Sequence, residues 1–562
     1  MKPPLVKGTI LWYAFHMSNA GGSSASNPSA APRRSGGAPP DATLRLALSL
    51  PGGVAPGTFE AGAVCGLLAW MQGVNALAPD AVVVDVVTGA SAGALTGLLA
   101  ARVLLAGDDP VAVFRQAWVS APSLRALRAV GPWAPLSLRR ARQVAHGLLF
   151  APSDPGHRWQ QASPLTLDVA LGCLRGFSQH IPRTDGMMDG GQPLFATSYL
   201  DWSSFDLHDI PARSITDGAE WTEAVDSVMA SASHPLAFPA RSLDRESYRK
   251  EYLDSKIVNL PADEDQLSLW YTDGGLLDNE PLGRCVARVS GRDGARMPRR
   301  LVMLVRSSVR WPPPADNPAW SGAVRPRWTQ TLARVLDLIA THATGRDLLR
   351  VEQVNTRLRW TSEAATMLAE LVHSDARDEL ERLLTRLQAE RRPFDLLARR
   401  IQGPPDHSRM NMEELIAEVL RSASGLTAKR PIDVAVVSAD AAYTGPEALR
   451  SLVGFLERRQ RENHFAAGYW SMLNWIDKAP ELTKHVARDL LSAAVLAAQE
   501  GVPEPSARQL ARDDVRGLSA RTRAELLRLG IRTGRIARAD VDAFFDLRKQ
   551  RARRARQRAG DL

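Results

Sequence analysis

A near-continuous run of β-branched residues that breaks into a glycine-flanked serine constrains this chain more than any other feature. Ala81–Val87 has the make-up of a strand buried on both faces, and Gly89-Ala90-Ser91-Ala92-Gly93 turns it into the apolar helix expected over Ala94–Leu105. A strand of that kind needs helices on both sides of its sheet. The same unit occurs once before it. Leu44, Leu46, Leu48 and Leu50 alternate as in a strand, Pro51-Gly52-Gly53 ends the run, and a helix is expected from Thr58 onward. There Phe59, Gly62, Ala63, Gly66, Leu67 and Trp70 fall at helical spacing, with small residues on the face expected to approach the sheet. Two strand–loop–helix units in succession predict the α/β class, with a mainly parallel central sheet flanked by helices.

Further strands are expected at Leu194–Tyr199, Leu267–Thr272, Leu301–Val305 and Ile432–Ser438. Ser120–Pro164 and Arg241–Asp265 are of mixed polarity and read as insertions or a lid. Long helical periodicities follow at Thr329–Leu349, Ala364–Glu390, Glu413–Ser422 and Val486–Arg558. With 45% hydrophobic and 23% charged residues, the 562-residue chain is not disordered throughout. No stretch supplies the roughly 18 uncharged apolar residues of a spanning helix. The expected organisation is a flexible Gly/Ser/Pro/Ala leader over 1–42, an α/β domain over 43–306, a mostly helical region over 307–475 and an Arg-rich helical tail over 476–562. Within the leader, Lys2 and Lys7 before a short apolar run form a weak signal-peptide pattern, and Met17 is an alternative start. Cys65, Cys173 and Cys285 are too few and too scattered for a disulfide framework, which favours a reducing compartment. Net charge is +9, and Arg548–Arg558 carries much of the excess, a charge that by itself fits an anionic membrane or nucleic acid equally.

Chemistry concentrates at three loops. Gly89–Gly93 is a Gly-x-Ser-x-Gly pattern between a buried strand and a helix, the context in which a sharp turn lifts a serine oxygen to the edge of a sheet. Ser91 is therefore the candidate nucleophile, with Gly89 and Gly93 giving the turn its room, and Ala92 opening a helix whose free N–H groups face a developing oxyanion. The loop Pro51–Gly57 has three readings. A phosphate-binding loop lacks its lysine, a dinucleotide loop lacks its glycine spacing, and an oxyanion loop explains the glycines, Gly52 and Gly53 among them, better. Asp273, ahead of Gly274 and Gly275, follows a hydrophobic strand directly, so its carboxylate is placed to take the serine proton if burial raises its basicity. The histidines show no metal-ligand spacing, and neither a metal nor a cofactor is expected. His234, ahead of Pro235 in a bend, is expected to pack rather than to complete a triad.

Taken in order, Leu46–Val64, Gly89–Gly93, Ala230–Pro239 and Asp273-Gly274-Gly275 with Asp278-Asn279-Glu280-Pro281 resemble the patatin-like phospholipase family, bacterial type. The resemblance implies a three-layer patatin-like fold and a serine–aspartate dyad without histidine, Ser91 as nucleophile and Asp273 as base, acting on acyl esters of lipids. Val54 stands where many members have a third glycine, and Pro56 where many have Arg or Lys. Leu452–Leu456 with Arg458, Arg461, His464, Phe465 and Gly468 resembles a downstream element of some bacterial members, which implies that the helical region belongs to the same functional unit. The partners expected are a lipid or acyl-ester substrate and an anionic membrane surface met by the basic tail, with no nucleic acid, and the location cytoplasmic or peripheral to a membrane. Two alternatives stay open: a catalytically weakened docking or regulatory module, and acyl transfer, which would use the same residues.

Overall fold

The computed structural model describes residues 43–122, 136–151, 159–180, 195–208, 219–235, 237–261, 266–293, 299–309, 328–371, 376–389, 410–424, 426, 431–439 and 458–505. At 54–56, 307–309, 328–348 and 388–389 only the backbone is described. The leader, Leu452–Leu456 and the tail beyond 505, with its basic run Arg548–Arg558, lie outside these residues.

Eight strands form one sheet: β1 (Leu44–Leu50), β2 (Val82–Gly89), β3 (Leu165–His180), β4 (Phe195–Leu207), β5 (Arg241–Asp244), β6 (Ser268–Asp273), β7 (Arg300–Val309) and β8 (Val434–Ala439). Their order is β5-β6-β3-β2-β1-β7-β8, with β4 also paired to β3. The pairs β1–β2, β1–β7, β2–β3 and β7–β8 are parallel, whereas β4 and β6 run antiparallel on β3, and β5 antiparallel on β6. On one face the alternate leucines of β1, Leu44, Leu46, Leu48 and Leu50, pack with helices α1 (Val54–Leu77), α2 (Ala92–Ala106), α3 (Arg139–Leu149) and α4 (Ala219–Ser231). On the other, Ala47, Val86, Val302 and Leu304 meet Leu282, Cys285 and Val289 of α5 (Leu282–Asp293). This is the three-layer α/β arrangement with a mainly parallel sheet. The longer helices that follow are α6 (Trp328–Ala369), α7 (Arg377–Ala389), α8 (Met412–Ala423), α9 (Arg458–Lys478) and α10 (Arg488–Gln499).

Charge fixes α5 to the sheet. Arg284 and Arg288 hold the buried Asp168 of β3 at 2.6 and 2.7 Å, and Arg300 holds the buried Asp85 of β2 with both nitrogens, at 2.7 and 2.9 Å. Burial alone would raise the Asp168 carboxyl, but the two guanidinium groups bring it down to about 2. The aspartate that interrupts the apolar run Ala81–Val87 is thus accommodated in the interior because its charge is neutralised there.

Helix α1 begins at Val54, four residues before its expected start, with Pro56 tolerated in the first turn, where its missing N–H has no intrahelical partner to lose. Its small residues face another helix rather than the sheet. A Cβ on Gly62 would collide with the carbonyl of Phe465, one on Gly66 would come within 2.9 Å of the Tyr469 carbonyl, and one on Gly468 would collide with the carbonyl of Phe59. Backbones of α1 and α9 therefore cross in direct contact, and α1 is enclosed between the sheet and α9. The periodicity over Ala364–Glu390 belongs to two helices, since α6 ends at Ala369 and α7 starts at Arg377. Neither β3 nor β5 was expected, and β5 lies inside the segment read as a lid. All three cysteines are buried and unpaired with one another. No helix among the described residues is long and apolar enough to cross a membrane.

Candidate active site

Two strand ends meet head to head beside β3. On one edge of β3, β2 runs parallel and ends with Gly89 opposite Val169, and β6 runs antiparallel and ends with Asp273 opposite Leu171. Because Leu171 and Gly172 pair with β4 on their other side, β2 and β6 share the same edge, one taking over where the other stops. Ser91 follows the first strand end and Asp273 closes the second, so residues 182 positions apart come together. Within a sheet that is mainly parallel, Asp273 arrives on a strand antiparallel to β3.

Ser91 Oγ donates to Asp273 Oδ2 at 2.9 Å, and Asp273 Oδ1 accepts the Gly275 N–H at 2.8 Å. The exposures are 7% for Ser91 and 4% for Asp273. Burial lifts the Asp273 carboxyl to about 7, although the hydrogen bonds from Gly275 and Ser91 pull the other way. Ser91 has a φ of 50°, a left-handed conformation that costs a serine on the order of 1–3 kcal/mol and is held by its surroundings. Glycines make the turn possible: a Cβ on Gly89 would lie 2.6 Å from Ala94 N, and one on Gly93 would collide with the Leu50 carbonyl. Gly274 passes so close to β3 that a Cβ would strike the Ala170 carbonyl.

The element Ala230–Pro239, which drew attention for its histidine, acts through its serines. Ser231 Oγ accepts the Ser91 N–H at 2.8 Å, and the Ser233 carbonyl accepts the Asp273 N–H at 3.1 Å, so one helix end holds both members of the pair. His234 closes the bend through its carbonyl, which accepts the N–H groups of Ala237 and Phe238 at 2.9 and 2.8 Å. No imidazole stands between Ser91 and Asp273, which bond directly. Reading the serine that ends α4 as a possible N–H acceptor would have found Ser231.

Around Ser91 the candidate oxyanion donors are arranged unevenly. Ala92 and Val54 are the first residues of α2 and α1, whose N–H groups have no intrahelical partner, and Gly53 takes a φ of 151° that suits glycine. Gly52 differs from expectation, because its N–H is taken by the Asn279 carbonyl at 2.9 Å. Its contribution is space: a Cβ there would lie 2.7 Å from Asn279 Oδ1 and 3.1 Å from Ser91 Cβ. Asn279, on the Asp-Asn-Glu-Pro segment, thereby wedges between the glycine loop and the aspartate loop. Gly52→Ala is expected to displace the serine and lower kcat about 10²-fold on a soluble ester, with the circular dichroism spectrum unchanged.

Ser91 and Ala92 open onto a cavity of about 110 Å³. Its wall is almost wholly apolar, with Leu95, Leu99, Trp118, Leu138, Val144 and Phe238 prominent. Part of the Ser120–Pro164 segment forms this wall through α3, whereas the described residues of Arg241–Asp265 contribute none of it. Arg245 of that second segment is instead buried beside Ser203 of β4, which Ser227 of α4 also contacts, and is bonded to Asp201 at 3.1 Å and stacked over Tyr248 at 3.7 Å. From α9, Arg461 donates to the Val119 carbonyl at 3.1 Å, bracing the turn that carries Trp118.

Residues 48–286 match a family model described as Patatin-like phospholipase. No curated protein matches the chain.

Proposed function

We propose that this protein hydrolyses acyl esters of lipids with Ser91 as nucleophile and Asp273 as general base, a reading supported by the match of residues 48–286 to the patatin-like phospholipase family model. The observation that carries the proposal is the direct Ser91–Asp273 hydrogen bond, 2.9 Å long, at the floor of an apolar cavity. Asp273 takes the Ser91 proton as Oγ attacks the ester carbonyl, and the N–H groups of Gly53, Val54 and Ala92 receive the charge that forms on the carbonyl oxygen. The protonated Asp273 then gives its proton to the departing alcohol. Water, deprotonated by the same carboxylate, releases the acyl group. A carboxylate raised to about 7 suits this task, because it is a far stronger base than an exposed aspartate and is still ionised at slightly alkaline pH.

A fluorophosphonate probe followed by peptide mapping tests the reading: label on Ser91 supports it, and an unlabelled Ser91 in folded protein refutes it. The pH dependence gives a second check. A general base must be ionised, so kcat/KM on a soluble ester is expected to fall on the acid side with a midpoint near the Asp273 value of about 7. An acid limb at the ordinary aspartate value of 3.8 would mean that the base is not a carboxyl raised by burial.

A further inference from the structure

The cavity beside Ser91 has a length and an end. Ala92, Leu95 and Leu99 line it from α2. They lie on one stripe of that helix, so the cavity follows α2 from Ala92 to Leu99, about 10 Å at a rise of about 1.5 Å per residue. Along the stripe the space closes, because Leu95 is half-buried and Leu99 fully buried. One turn deeper, the buried Arg102 donates to Asp108 Oδ2 at 2.8 Å and to the carbonyls of Leu149 and Ala151 at 2.9 Å each. Leu149 ends α3, the helix whose Val144 and Ala145 form another wall of the same cavity. Arg102 thus ties α2 to α3 just beyond Leu99, and the two helices are held against parting to lengthen the space.

Volume sets what fits. An apolar cavity of about 150 Å³ binds the six carbons of benzene, so one of about 110 Å³ takes about four methylene groups. An acyl group whose carbonyl is held at Ser91 therefore fills the space with a chain of about six carbons. Further atoms would have to displace close-packed side chains, which a protein interior resists. We propose that the site takes esters of short acyl groups, of about four to six carbons, and that Leu99 sets the limit; the proposal rests on Ser91 being the nucleophile. The long acyl chain of a membrane lipid would leave most of its carbons without a place in the cavity.

The p-nitrophenyl esters from acetyl to decanoyl, each dilute enough to stay dissolved as single molecules, test the limit. For wild-type protein kcat/KM is expected to peak at butanoyl or hexanoyl and to be at least about tenfold lower for decanoyl, since a methylene group that a pocket cannot seat costs about that much. Leu99→Ala takes an isopropyl group off the end of the cavity and is expected to move the peak up by about two carbons. Val144→Phe, at a half-buried position, is expected to move it down by about two, and it carries the test if Leu99→Ala does not fold. Alkyl acetates of increasing alcohol length are expected to show no such limit. A wild-type peak at octanoyl or beyond, a peak that folded Leu99→Ala or, failing that protein, Val144→Phe leaves in place, or a length limit that follows the alcohol overturns the proposal. No turnover of any ester by wild type, or turnover that survives Ser91→Ala, brings down the hydrolase reading instead, and the proposal with it.

Discussion

Replacing Ser91 by alanine is expected to lower turnover of a soluble acyl ester by at least about 10³-fold while leaving the melting temperature near that of wild type. The size of the loss follows from the route: without Oγ no acyl-enzyme forms, and the oxyanion donors alone give only a residual advantage over water. Asp273→Asn is expected to act as strongly, because a carboxamide cannot take the serine proton. The two variants should differ in stability. Burial raises the Asp273 carboxyl from 3.8 to about 7, so the folded state holds that proton more tightly than the unfolded chain does. Its contribution to stability is therefore complete below about pH 4 and is lost as pH rises through about 7. Asparagine removes this loss. The melting temperature of Asp273→Asn relative to wild type should be higher at pH 8 than at pH 5, and calorimetry at the two values checks the sign. An Asp273→Asn variant that destabilises more at pH 8 would show that the buried carboxylate is not the source of the cost.

The second large effect concerns helix contact, and it appears as opposite signs for one kind of substitution. Gly468→Ala places a methyl group against the carbonyl of Phe59, backbone against backbone, where no side chain can turn aside. It is expected to destabilise the protein by on the order of 3 kcal/mol through forced separation of α1 and α9. Gly147 on α3 has nothing within 4 Å of the position a Cβ would take. There the same change is expected to stabilise by about 1 kcal/mol, the ordinary helix-propensity gain. Thermal unfolding of the pair side by side checks both, and equal shifts would mean that the α1–α9 crossing is looser than described. Because α1 carries the glycine loop at its start, Gly468→Ala is also expected to reduce turnover.

What was legible in the sequence followed its local patterns. The strands β1 and β2, the turn at Ser91 and the carboxylate at Asp273 all carry signals within a few residues: alternation, a β-branched run, glycines at fixed offsets. The antiparallel arrival of Asp273 had no such signal, because strand direction depends on which neighbour completes β3 after β2 ends. β3 itself was hidden by Asp168, Gly172 and Arg175, which break its apolar run, and Asp168 is tolerated only because α5 brings Arg284 and Arg288 from more than a hundred positions away. The same limit explains the small residues of α1. Helical spacing showed that something approaches Gly62 and Gly66 closely, but whether a sheet or a helix was fixed by Phe465 and Tyr469, about 400 positions downstream. Ser231 went unnoticed since a hydroxyl accepting one N–H leaves no periodic trace.

That crossing also dictates an order of events during synthesis. The face of α1 that carries Gly62 and Gly66 emerges from the ribosome roughly 400 residues before its cover, α9, a delay on the order of 20–80 s at ordinary elongation rates. β8, which pairs in parallel with β7, is likewise made late. A nascent chain therefore owns its serine turn long before it owns the scaffold around it, and a messenger truncated ahead of residue 458 would yield a product with a bare apolar helix, a substrate for chaperones and proteases rather than a smaller working enzyme.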